Sequence, residues 1–136
     1  MRKHTAWLKA RIQSVPALAS SVFVTVVPAG ASLPYVVIHP ADGTDAADRL
    51  TGPSALQNPR FTFHSVGSTY EQCAWAAEQV KAALIVGGLG VTPAITGEIA
   101  GRVWYSVPQP VQTDDDVNPP LLFHTAEVGF TSELSA

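Results

Sequence analysis

Cysteine is almost absent from this chain of 136 residues: Cys73 stands alone, so no intrachain disulfide can form. There is no C-x-x-C and no H-x-x-x-H, the spacings from which zinc sites are commonly built. Charge is also sparse, at 14% of residues, and it comes with Ala- and Val-rich runs, which excludes a disordered chain. No apolar run approaches the roughly 20 residues of a membrane-spanning helix, so no membrane partner is expected. Trp7 to Ala19 is interrupted by Lys9, Arg11, Gln13 and Pro16, which argues against a signal peptide. Positive charge is scarce beyond the first eleven residues. Arg2, Lys3, Lys9 and Arg11 lie within them without a single acid, and the remainder carries a formal balance of minus seven. A body that acidic repels a nucleic-acid backbone, and the basic start reads as a solvated helix face, the alternative being a phosphate contact. The length fits one domain spanning residues 1–136, able to bury roughly two-thirds of its unfolded surface.

What is present is organised around Arg60 to Val86. Phe61, Phe63 and Ser65 alternate with Thr62, His64 and Val66, the period of a strand. Gly67 permits a turn that a residue with a Cβ would resist. Ser68 and Glu71 fit a capping box, and Cys73, Ala76, Ala77, Val80, Ala83 and Leu84 then follow on one helical face. Gly87 and Gly88 end the helix in the manner of C-terminal glycines. On that face Cys73 reads as a small core hydrophobe. Trp75 falls opposite it, as a partly covered surface residue or a subunit contact.

Elsewhere, Thr5 to Val15 predicts a helix with Leu8, Ile12 and Val15 on one stripe, broken or restarted as a short turn at Pro16. Val22–Val27 and Tyr35–His39 read as strands, the second closed by Pro40. Ala41 to Pro59 is a long irregular stretch. Asp42, Asp45 and Asp48 recur there at every third residue, which does not match the EF-hand spacing, so they read as a structural loop or short helical turn. A loop this long in a small domain is often in contact with a partner or a neighbouring subunit. Gly87-Gly88-Leu89-Gly90 resembles half a nucleotide loop in the wrong context, because it follows a helix. Arg102–Val107 predicts a short strand, and Asp114-Asp115-Asp116 a solvated acidic turn. In the last strand, Leu122 to Ser132, Leu122, His124, Ala126, Val128 and Phe130 face one way, while Thr125, Glu127 and Thr131 make a wet face. Helix, two strands, long loop, strand, helix and two strands predict an α+β fold: an antiparallel or mixed sheet of about five strands with two helices packed on one face.

The sequence holds little that could carry chemistry. His39, His64 and His124 lie in or at the end of predicted strands, so two of them can become cross-strand neighbours. A binding pocket or hydrolytic site built from His39, His64 and Asp48 is the one alternative of that class. No G-x-S-x-G elbow is present, and no catalytic residue, metal ligand or cofactor is assigned.

Several segments carry a family resemblance. They are Leu33-Pro34-Tyr35-Val36-Val37-Ile38-His39-Pro40, Asp48-Arg49-Leu50-Thr51-Gly52-Pro53, and Phe61-Thr62-Phe63-His64-Ser65-Val66-Gly67 with its helix. Pro119-Pro120-Leu121-Leu122-Phe123 and Glu127-Val128-Gly129-Phe130 complete them. Over nearly its whole length the chain resembles the tail terminator proteins of long-tailed (siphovirus) actinobacteriophages. The resemblance implies a virion protein, assembled in the host cytoplasm, that forms a hexameric ring at the head–tail junction. Such a ring caps the tail tube protein, ends tube polymerisation and docks to a neck or head-completion protein below the portal. Genomic DNA passes through its lumen without sequence-specific binding. A head-side neck connector is the nearest alternative. Trp75 and the loop residues Asp48, Arg49 and Leu50 are the expected ring contacts, since a heterologous interface uses two different patches of each subunit.

Overall fold

The computed structural model describes residues 2–41, 56–117 and 119–134. The central strand is β4 (Arg60–Gly67), flanked on one side by β2 (Tyr35–Ala41) and on the other by β10 (Leu121–Gly129), both antiparallel to it. The three-residue strand β1 (Val22–Val24) adds in parallel to β2, while β8 (Trp104–Ser106) and β9 (Gln112–Asp114) both pair with β10. Among the described residues these make a mixed six-stranded sheet. Helix α1 (Arg2–Gln13) packs on α2 (Tyr70–Leu84) and β1, and α2 lies across β4 and β10. The fold is α+β, with both helices on one face of the sheet.

Registry decides which side chains meet. Phe63 stands opposite Ile38 and Ala126, and Phe61 opposite Val128, so one face of three strands is apolar up to Ser65 and His124. Against it α2 buries Cys73, Ala76, Ala77, Val80, Ala83 and Leu84, the face its spacing predicts, and α1 adds Leu8 and Ile12. Each large side chain buried there contributes about 1.5–3 kcal/mol. Phe130 closes one end of the core, stacked against Phe61 at 6.1 Å and approached by Trp7 and His4.

Several boundaries differ from the sequence expectation. Helix α1 begins at Arg2 and ends at Gln13, with Val15 half-buried beyond it and a 3-10 turn at Pro16–Leu18. Strand β1 stops at Val24 because Thr25 takes φ 65°, closing a tight turn in which Val26 N–H donates to Val24 O at 2.7 Å. Strand β2 continues through Pro40 to Ala41, opposite Phe61 and Arg60. By that point β1 has ended, so the proline sits on an edge. The helix cap is Thr69: its Oγ1 accepts from Gln72 N–H, and Gln72 Oε1 accepts from the N–H and hydroxyl of Ser68. The cap is therefore one residue later than in Ser68–Glu71, as a variant of the box in which Gln72 reaches back past Thr69 to Ser68. Gly67 does not have the positive φ of a turn glycine. A Cβ there would come within 2.6 Å of Gln72 Cβ and 2.7 Å of Cys73 N, so glycine is needed for the close approach of helix to strand.

Gly87 and Gly88 do not cap α2. They take φ 62° and 79° as the two-residue turn of a hairpin, β5 (Ile85–Val86) with β6 (Leu89–Gly90). The predicted final strand is interrupted after Gly129 and resumes as β11 (Ser132–Leu134). Strand β11 belongs to a second, three-stranded sheet with β3 (Leu56–Gln57) and β7 (Glu98–Ala100), which the sequence reading lacks.

Candidate functional site

Among the described residues, the polar groups suited to chemistry fall into two places. In the first, Glu98 Oε1 contacts His4 Nε2 at 2.9 Å and accepts from Ser132 Oγ at 2.7 Å. The residue types are those of a hydrolytic triad, but the wiring is not. The imidazole would have to lie between serine and acid, whereas here both bind the same carboxylate oxygen. The His4 and Glu98 side chains are only 3% and 8% exposed, and Ser132 is buried, so no substrate reaches them. Burial pushes the Glu98 carboxyl up, but hydrogen bonds from Ser132 and His4 and the nearby Lys3 outweigh it and hold the group below its ordinary range. The cluster joins α1 to the small sheet.

The second place is the sheet face turned away from the helices. Strand alternation puts Tyr35, Val37, His39, Thr62, His64, Val66, Phe123, Thr125 and Glu127 there. His39 and His64 are brought together as anticipated, ring centroids 4.9 Å apart, and Phe123 lies 5.2 Å from His64 on its other side. Burial, with the neighbouring His39, pushes the His64 pKa down. A groove of about 290 Å³ opens here, lined by Tyr35, Val37, His64, Val66, Leu121 and Phe123, with Asp114 on its rim. Burial and Asp114 together raise the Tyr35 phenol. Asp48, the third residue of the expected pocket, lies outside the described residues. Among the described residues no group of three His, Cys, Asp or Glu side chains is arranged to hold a metal ion.

His124 does not join this pair. It stands opposite Ser65 on the helical side, beside Tyr70, Ala77, Lys81 and Tyr105, where burial lowers its pKa. Of the expected ring contacts, Trp75 lies on the outer crest of α2 and remains 38% exposed. Asp48, Arg49 and Leu50 lie outside the described residues. The acidic turn is as expected, with Asp116 N–H donating to Asp114 Oδ1 at 3.1 Å, except that Asp114 itself ends β9.

Sequence reasoning missed two apolar surfaces. One is the groove, whose signal was Phe123 on the supposedly wet side of its strand. The other is the tip of the β5–β6 hairpin, where the paired Val86 and Leu89 are 55% and 56% exposed. Reading Gly87-Gly88 as a helix end hid it, although two glycines between apolar residues also fit a hairpin turn.

No protein-family model matches the sequence, and no curated protein matches it. Among solved structures, the chain shares its fold with a chain of the structure titled "Virion of native gene transfer agent (GTA) particle". The TM-score is 0.65 at 16% identity, covering 96% of this chain and 93% of that one.

Proposed function

We propose that this chain is a structural, non-enzymatic subunit of a phage-type virion, and specifically a tail terminator. In this reading it closes into a ring, hexameric in the related family, that caps the tail tube, ends tube polymerisation and joins the tail to the neck. The observation that carries the proposal is the agreement of fold, over nearly the full length of both chains, with a chain of a virion particle. Charge supports it as well. An acidic body, minus seven beyond residue 11, suits a lumen through which DNA slides without sticking. Trp75 is an exposed aromatic anchor of the kind enriched at subunit contacts, and we assign it to the assembly surface.

The test is electron microscopy of the purified protein, alone and mixed with tail tubes. A ring seated at one tube end is expected. Binding to the portal side instead would reassign the chain to a head-side neck connector. A persistent monomer without affinity for tubes would overturn the proposal.

A further inference from the structure

The groove and the hairpin tip are complementary, and neither meets the other within one chain. The groove lies where Tyr35 and Phe123 flank Val66 and Asp114 pairs with Leu121, at the Gly67 end of β4. The hairpin lies at the other end. Helix α2 starts just past Gly67 and runs 15 residues back along the sheet, about 22 Å, before β5 begins. Beyond β6, Val91 O accepts from Val103 N–H, and the next residue, Trp104, pairs with Gly129, itself opposite Arg60. The hairpin also extends from the helical layer, whereas the groove is on the face turned away from the helices.

Their chemistry matches. The groove is walled by Tyr35, His64, Leu121 and Phe123 over a floor of the nearly buried Val37 and Val66, with Asp114 as its one carboxylate. The hairpin offers Val86 and Leu89, and at its base stands the exposed Arg102, whose guanidinium donates to Gly90 O at 3.3 Å. An apolar tip with a cation behind it fits an apolar groove with an anion at its edge.

We propose that the β5–β6 hairpin of one copy inserts Val86 and Leu89 into the open-face groove of the next, with Arg102 paired to the neighbour's Asp114. The two patches differ and lie at opposite ends of β4, so used head to tail the contact is heterologous, and it closes a ring when the rotation between neighbours allows. This rests on the ring-forming reading above and supplies it with a joint.

Two variants with one added cysteine each test it, Leu89→Cys and Leu121→Cys, with the buried Cys73 left in place. Under mild oxidation the mixed variants are expected to give a covalent dimer that neither gives alone, and the double variant a ladder up to the ring. In parallel, Arg102→Asp and Asp114→Arg are each expected to weaken assembly at least about tenfold, and their combination to restore it. Rings by light scattering without cross-linking in the mixture would overturn the joint and leave the ring reading standing. Cross-linking of Leu121→Cys with itself would also overturn it, by making the contact isologous. A chain that stays monomeric at all concentrations and ignores tubes would bring down the ring reading, and the joint with it.

Discussion

His4 and Glu98 meet at 2.9 Å although 94 residues separate them, and the contact fastens the first helix to the small sheet. Ser132 binds the same oxygen from β11, so one carboxylate oxygen ties together α1, β7 and β11. The arrangement is local in space and invisible in sequence spacing.

Removing that carboxylate leaves two buried donors without their acceptor. Glu98→Ala is expected to cost about 1–3 kcal/mol at neutral pH, read as a fall in the urea midpoint. The pH dependence has a definite sign. The folded pKa lies below the ordinary 4.5, so this stability is present above pH 4.5 and is lost as pH falls through the lowered folded value. Glu98→Gln should flatten that limb of the stability curve.

The two histidines with depressed pKa give a separate, higher window. His64 and His124 resist protonation in the fold, because burial disfavours the charged ring. Their contribution is complete above the ordinary value of 6.5 and declines as pH drops below it toward the lowered folded values. Urea unfolding at about pH 7.5 and about pH 5 should show the loss, and His64→Gln should reduce it.

The cap position separates the observed box from the expected one. Thr69→Ala removes the acceptor of Gln72 N–H and should cost about 0.5–2 kcal/mol. Glu71→Ala, at an exposed site that makes no cap contact, should stay within about 0.5 kcal/mol. Equal losses from both, by thermal or urea unfolding, would contradict the assignment.

At Gly67 the constraint is room. Alanine there would press its methyl on Gln72 Cβ and the Cys73 backbone, and the helix would have to shift. A loss of about 1–3 kcal/mol is expected for Gly67→Ala, measured by equilibrium unfolding.

Trp75→Asp separates folding from assembly. The side chain is on the outer side of α2 and 38% exposed, so stability should fall by about 1–3 kcal/mol with the chain still folded, while rings should be lost from native mass spectra. Intact rings would remove Trp75 from the interface.

Sequence alone determined most of Arg60–Val86. Period-2 alternation in Phe61–Val66 and the three- and four-residue spacing from Cys73 to Leu84 placed the central strand, the long helix and its buried face. They could do so because burial on one face forces the period of the side chains. The same logic gave the α+β class and the exposed Trp75. Tertiary structure decided what depends on neighbours distant in the chain. Pro40 stays in a strand because β1 has already left, Gly87–Gly88 turns a hairpin because β6 finds β5, and Glu98 gathers His4 and Ser132. The groove also belongs to this second group. Tyr35, Val66 and Phe123 belong to three strands, and only their registry makes one apolar surface of them, on the face where alternation alone predicted water.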